Sequence, residues 1–149
     1  MITSLALVVV MVPLLGFILG GGLARALPSP VREKTTIVLT VAGISVACIC
    51  AWIVFLKLIG AHPAERIHTL ILFPWICIGD LHVDWSLKID MVSAVMMVVV
   101  TSVSAMVHIY SIGYMDRDPG LSRFMGYLSL FTFFMLMLVT SGNLLQLFF

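Results

Sequence analysis

The stretch HIYSIGYMDRDPGLSRFMGYLSLF, residues 108–131, packs four charged residues between Asp116 and Arg123 and is flanked by long uncharged runs. Residues 91–115 and 124–149 contain no Asp, Glu, Lys or Arg, and neither do residues 1–24 and 35–56. A membrane span needs about 20 apolar residues. Lipid offers no hydrogen-bond partner to the backbone, so each run is expected to be helical. We predict four transmembrane helices, the last reaching the end of the sequence, with the charged stretch as the turn between helices 3 and 4.

The composition supports a protein whose solvent is lipid. The 149 residues are 62% hydrophobic and 10% charged, whereas a soluble domain carries about 25% charged residues. The net charge of +1 gives no reason to expect nucleic acid as a partner. We predict a multi-pass integral membrane protein that contacts the lipid bilayer.

The basic residues predict the orientation. Of the 8 basic residues, five lie in the first and third loops, which two crossings place on the same side, and three lie elsewhere. By the positive-inside rule that side is cytoplasmic, or the matrix side in an organelle. In the first helix, Gly16 and Gly20 have GxxxG spacing. They either form a face for close helix packing or reflect the general frequency of glycine in membrane helices.

The loop between helices 2 and 3 is predicted to form a β-hairpin on the outer surface. From residue 81 to 90, apolar residues alternate with polar ones, and a period of two is typical of a half-buried strand. Gly79-Asp80 is a turn pair, and Trp75–Ile78 is the expected return strand. The polar set, which includes Ser86 and Lys88, is expected to face water. The histidines and acids of this loop have no metal-ligand spacing, so we predict solvated side chains for His62, His68, His82, Glu65 and Asp84.

Helix 3 carries one polar stripe. Thr101, Ser104, His108 and Ser111 follow steps of three, four and three and therefore share a helix face. A polar stripe inside a membrane helix is expected to face protein, where its groups find partners. Two interpretations of His108 stay open: a neutral side chain hydrogen-bonded to a neighbouring helix, which we favour, or a proton relay.

The turn after helix 3 contains Asp116, Asp118 and Arg123, with Pro119-Gly120 between them. Pro-Gly ends a helix, and Arg123 at the membrane edge is expected to snorkel or to pair with either aspartate. Ser122 is predicted to cap the start of helix 4.

The second half of the chain resembles a known family. VHIYSIGYM at residues 107–115, SRFMGYLSLFTFFML at 122–136 and NLLQLFF at 143–149 are similar to elements in the N-terminal part of chain 5 (subunit L) of respiratory complex I, the NADH:quinone oxidoreductase. The resemblance is strong over about residues 70–149, and the tryptophan-rich hairpin before helix 3 also fits it. One departure lies at Gly142, where the family often has Asp or Asn.

The resemblance implies an all-α, antiporter-like membrane subunit that carries protons while partner subunits move electrons from NADH to quinone. It divides the chain into three parts. Residues 1–69 hold two N-terminal helices and the start of the outer loop; residues 70–123 hold the hairpin, helix 3 and the cytoplasmic turn; residues 124–149 hold the first, truncated helix of the proton-translocating domain. NADH, FMN, iron–sulfur clusters and quinone would be bound by partner subunits, and the other membrane subunits of complex I would be neighbours. The expected location is the bacterial inner membrane or the mitochondrial inner membrane.

In the family, LFF is followed by Gly-Trp-Glu on the next helix. That glutamate and later lysines and histidines are the family's proton-relay groups. None is present in these 149 residues, so we expect a fragment with no catalytic, cofactor-binding or metal-binding residue and no redox chemistry of its own. Two alternatives stay open: a subunit of a cation/proton antiporter or membrane hydrogenase complex, and a stand-alone four-helix scaffold protein.

Overall fold

The computed structural model describes residues 2–22, 28–60, 67–78, 81–115, 118 and 120–148. In chain order the elements are α1 (Ile2–Gly16), its π-helical continuation (Phe17–Gly22), α2 (Ser29–Gly60), β1 (His68–Ile78), β2 (Leu81–Ile89), α3 (Met91–Tyr114), α4 (Leu121–Val139) and the short α5 (Leu144–Phe148).

Four of these helices are long and apolar enough to cross a membrane. The candidate spans are Ile2–Gly22, Val31–Gly60, Met91–Tyr114 and Leu121–Val139, of 21, 30, 24 and 19 residues. At 1.5 Å per residue even the 19-residue span is about 28 Å long, close to the thickness of the hydrocarbon core. The prediction of a multi-pass helical membrane protein with a hairpin between helices 2 and 3 is confirmed.

The fourth span ends earlier than predicted. The sequence suggested one helix through residues 124–149, but α4 ends at Val139 and a separate helix begins at Leu144. At that end, the Ser93 hydroxyl donates to the Val139 carbonyl at 3.1 Å, and the Lys88 amide donates to the Thr140 carbonyl at 2.8 Å. The last carbonyls of α4 are therefore satisfied by other elements. The uncharged run continues past Val139 to the end of the sequence, so charge alone could not mark the end of α4.

The glycines of the first span bring two other helices close. The Thr36 hydroxyl of α2 donates to the Gly20 carbonyl at 2.7 Å, and a Cβ added at Gly20 would lie 3.2 Å from the Thr40 Cγ2. A Cβ added at Gly21 would lie 3.3 Å from the Cα of Gly126 in α4. The close-packing interpretation therefore holds at Gly20 and Gly21, whereas a Cβ added at Gly16 would make an ordinary contact, 3.7 Å from the Thr40 Cα.

The apolar core is built around α2, which packs against both α1 and α3, and it also includes residues of α4 and β2. Its fully buried members include Val9, Ile44, Val54, Met97, Ile89 and Leu136. Large apolar side chains also cover the outer surface, where Val38 is 65% exposed and Met106 is 71% exposed. Apolar residues on the outside as well as the inside are expected for a bundle in lipid.

The hairpin is larger than the sequence indicated. β1 spans His68–Ile78 and not only residues 75–78, because register shifts at Ile71/Phe73 and Pro74/Ile76 accommodate a proline in an otherwise regular antiparallel pair. Phe73 stacks on Trp85 across the strands, with ring centroids 5.8 Å apart. The predicted turn pair Gly79-Asp80 lies outside the described residues.

The prediction that the polar face of β2 is exposed to water is wrong at Ser86. Leu87 and Ile89 are buried and Lys88 is exposed, as the alternation predicts, but Ser86 is only 5% exposed. Its backbone bonds with the segment after α4, which covers the strand at that point. The sequence pattern could not show this cover, because period two predicts two faces and not what lies over each of them.

Candidate functional site

The polar stripe of α3 is buried, and two of its residues bond across to α4. Thr101 and His108 are 0% exposed, Ser111 is 4% and Ser104 is 9%. On the facing side, Ser129 and Thr132 of α4 are each 1% exposed. We call the four stripe residues together with these two residues of α4 the polar seam.

His108 makes hydrogen bonds with both ring nitrogens. Nδ1 lies 2.8 Å from the Ser104 carbonyl oxygen, which only accepts, so Nδ1 carries the proton of the neutral ring. Nε2 lies 3.1 Å from the Ser129 hydroxyl of α4, which therefore donates to it. The neutral side chain is fully satisfied in this arrangement and links α3 to α4.

The hydroxyls continue the contact along the seam. Ser104 Oγ lies 2.6 Å from Thr132 Oγ1, and the Thr132 hydroxyl lies 2.9 Å from the Leu128 carbonyl. The simplest assignment has Thr132 donating to Leu128 and Ser104 donating to Thr132. Thr101 and Ser111 donate instead to carbonyls of their own helix, at 2.7 Å each. Ser104 and His108 thus bond across to α4. Thr101 and Ser111 find their hydrogen-bond acceptors within α3.

The chemistry of the seam suits holding α3 against α4 better than it suits proton transfer. Ser104 Oγ also lies 3.3 Å from His108 Nδ1, so hydroxyl and imidazole groups form a connected path from Ser129 to Thr132. That path ends at the Leu128 carbonyl, which does not take up a proton at ordinary pH. The uncharged runs of both helices supply no carboxylate or lysine to the seam.

The turn between α3 and α4 is held by the Asp118 carboxylate and by main-chain contacts. Asp118 accepts a 2.6 Å hydrogen bond from the Gly120 amide, and Gly120 is the N-cap residue of α4. Ser122 is buried and makes no capping bond, so the prediction that it caps the helix is wrong. Arg123 is exposed, and no ion pair with Asp118 occurs among the described residues. Asp116 lies outside that part of the chain.

A second polar contact was not predicted. The Asn143 side-chain amide donates to the Asp84 carbonyl at 2.8 Å, and Gln146 Oε1 accepts from the Ser86 amide at 3.2 Å. The Gly142 amide donates to the Ser86 carbonyl at 3.3 Å, and the Lys88 amide bonds with the Thr140 carbonyl. We call this set, residues 140–146 against Asp84–Lys88, the hairpin clamp. In the sequence, the clamp is marked by two amide side chains, Asn143 and Gln146, in the otherwise apolar motif NLLQLFF.

Gly142 fits the clamp because it lacks a side chain. A Cβ added there would collide with the Ser86 hydroxyl and lie 3.3 Å from the Ser86 Cβ. The Ser86 side chain of the hairpin therefore occupies the space that a side chain at position 142 would need. The clamp has no room for the larger polar residue that the family pattern often has there.

The residues considered for metal binding are only partly described. His62 and Glu65, and the side chain of His82, lie outside the described part. Within that part, no group of three or more His, Cys, Asp or Glu side chains comes together. Solvation of these residues stays a prediction.

A family model and three related proteins agree on what this chain is similar to. A family model described as NADH-Ubiquinone oxidoreductase (complex I), chain 5 N-terminus, matches residues 75–125. The NADH-quinone oxidoreductase subunit L of Rhodobacter capsulatus is 44% identical, over 95% of this chain and 20% of the relative. Subunit L of Rickettsia bellii is 40% identical over 100% of this chain and 22% of the relative. Chain 5 of NADH-ubiquinone oxidoreductase from Allomyces macrogynus is 39% identical over 95% and 21%. The chain thus spans about a fifth of the length of the curated relatives it matches.

Proposed function

Because the chain belongs to the chain 5 (subunit L) family of NADH:quinone oxidoreductase and matches its N-terminal part, we propose that it forms the N-terminal membrane portion of a proton-translocating subunit of that complex. The observation that carries the proposal is the 44% identity over 95% of the chain. The subunit resides in the bacterial plasma membrane or the mitochondrial inner membrane. Its neighbours are other membrane subunits of the complex.

Within that subunit, the part described here holds helices in position and does not itself relay protons. Both nitrogens of His108 are used by a neutral ring, and the connected hydroxyls end on a backbone carbonyl. A proton path through lipid needs titratable groups along its length. NADH, FMN, the iron–sulfur clusters and quinone are assigned to partner subunits on the family resemblance alone.

A tagged copy of the chain, expressed in a bacterium that makes its own NADH:quinone oxidoreductase, tests the assignment. We expect other membrane subunits of that enzyme to co-purify with it in mild detergent. A chain that purifies as a stable oligomer without them would instead favour a stand-alone scaffold protein. Co-purification with subunits of a cation/proton antiporter would move the chain to that related group.

A liposome experiment tests the holding role. The purified chain, under an imposed membrane potential, should admit no more protons than protein-free liposomes when followed with a pH-sensitive dye. The described spans offer one imidazole and several hydroxyls, and the path that these groups connect ends at the Leu128 carbonyl. Proton entry that His108→Ala abolishes would overturn this part of the proposal.

A further inference from the structure

A cavity on the hairpin side of the bundle lies apart from the polar seam and the hairpin clamp. It has a volume of about 290 Å³ and is lined by Ile2, Thr3, Lys57 and His68. These residues come from three elements: the first turn of α1, the last turn of α2 and the start of β1. Two basic side chains from separate elements, together with a hydroxyl, thus surround one space.

The length of α2 places this cavity at the membrane surface. The span Val31–Gly60 has 30 residues, so it is about 45 Å long, whereas the hydrocarbon core is about 30 Å thick. Lys57 is the first charged residue after the uncharged run 35–56, which marks the boundary of the apolar layer. Its ammonium group therefore lies at the depth of the lipid headgroups, where phosphate groups are found.

We propose that this cavity binds the phosphate group of an anionic phospholipid in the leaflet on the hairpin side. Lys57 provides the positive charge and strong donors, while the His68 ring and the Thr3 hydroxyl provide further donors. Ile2 extends the lining with apolar surface, which suits the glycerol and upper acyl region of a lipid. Basic pockets between membrane helices on the matrix or cytoplasmic side bind anionic headgroups, and the same pairing of charge and donors is available on the hairpin side.

The three tryptophans report on binding without a label. Trp52 lies in α2 five positions before Lys57, and Trp75 and Trp85 lie in the hairpin. Vesicles of phosphatidylcholine are prepared with a small fraction of either dibrominated phosphatidylglycerol or dibrominated phosphatidylcholine. Bromine quenches nearby tryptophan, so preferential binding of the anionic lipid appears as stronger quenching at equal mole fraction.

We expect the full 149-residue chain to prefer phosphatidylglycerol by about five-fold, the factor that one basic side chain provides at an anionic surface. Lys57→Gln/His68→Gln should remove the preference, and Lys57→Arg should keep it. The matched control is Lys34→Gln/Arg123→Gln, which removes two exposed basic groups elsewhere in the chain and should leave the preference unchanged. Circular dichroism verifies that each variant keeps its helical content.

Three results would overturn the proposal. The first is equal quenching by the two brominated lipids with the unsubstituted chain. The second is an equal loss of preference in the control variant, which would mean that only net charge matters. The third is displacement by excess inorganic phosphate but not by sodium chloride of equal ionic strength, which would indicate a site for free phosphate and not for a phospholipid.

Discussion

Helix α4 takes part in the polar seam, the segment that follows it forms the hairpin clamp, and the two contacts differ in whether they bind side chains or backbone. At the polar seam, side chains of α3 meet side chains of α4 inside the span. At the hairpin clamp, the chain beyond α4 binds the backbone of a β-strand. A helix in lipid uses its own backbone internally, so only side chains remain to bridge helices, whereas an edge strand presents unpaired amides and carbonyls.

The difference has a consequence for tolerance to substitution. Each bond between α3 and α4 in the seam is made by its own pair of side chains. A substitution in the seam therefore removes one of these bonds and leaves the other in place. Two of the four clamp bonds join the two backbones directly, and the other two reach the strand backbone through the side chains of Asn143 and Gln146. All four need the segment to lie close to the strand, so one side chain in the wrong place separates them all. The following predictions test that contrast.

Gly142→Asp should have the largest effect. Rotation of the Ser86 hydroxyl makes room for a methyl group, but the Ser86 Cβ and carbonyl oxygen would lie 3.3 Å and 3.5 Å from the new Cβ and block a larger side chain. We expect the four clamp bonds to be lost together, at about 1 kcal/mol each and about 4 kcal/mol in total. Unfolding in mixed micelles of increasing SDS content measures this change.

Two further variants check the cause. Gly142→Ala should cost far less than Gly142→Asp, and Ser86→Gly should restore much of the stability of the aspartate variant. Gly60→Asp is the matched control, because a Cβ at Gly60 meets nothing within 4 Å. A Gly142→Asp protein as stable as the Gly60→Asp protein would mean that the clamp does not depend on close backbone approach.

His108→Ala should have the next largest effect, about 3 kcal/mol. The substitution removes a fully buried ring, leaves a cavity between α3 and α4, and leaves the Ser129 hydroxyl without its acceptor. His108→Gln keeps a donor and an acceptor and should recover more than half of the loss. The same SDS titration gives both values, and equal losses for the two variants would mean that hydrogen bonding at this position contributes little.

The seam and the clamp also differ in how far the sequence predicts them. Four uncharged runs and a period of two predict that the spans and the hairpin exist, because lipid and a sheet face impose those patterns, but they do not predict where α4 ends or where β1 begins. The spacing of Thr101, Ser104, His108 and Ser111 predicts one face of the seam, but nothing in it selects Ser129 and Thr132 as partners. The clamp lies in a segment with no period, where Gly142 and Asn143 are informative only once Ser86 and Asp84 are known to be adjacent.

Within the clamp, Asn143→Leu should destabilise more than Gln146→Met. Asn143 loses a 2.8 Å bond to the Asp84 carbonyl, at about 1 kcal/mol. Gln146 also loses a bond, but its Nε2 is buried and lacks a hydrogen-bond partner within the described part of the chain. Replacing an unsatisfied amide nitrogen by an apolar group offsets part of the loss. Protease cleavage of the hairpin should accelerate in the first variant, and the reverse ranking would contradict the bonding assigned to Gln146.

The smallest expected effect is the coupling between Ser104 and Thr132. Ser104→Ala and Thr132→Val each remove one end of the 2.6 Å bond, so a double-mutant cycle isolates the interaction across the helices. Polar side-chain bonds between membrane helices average about 0.6 kcal/mol, because the separated helices find other partners for the same groups. We expect a coupling of about that size. Thr140→Val is the control for the second position. Among the described residues its hydroxyl bonds with carbonyls of α4 alone, Leu136 at 2.8 Å and Met137 at 3.5 Å, so it should show no coupling with Ser104→Ala. A Ser104–Thr132 coupling as large as the loss caused by Gly142→Asp would remove the contrast between seam and clamp, because a single side-chain bond would then stabilise the bundle as strongly as the whole clamp.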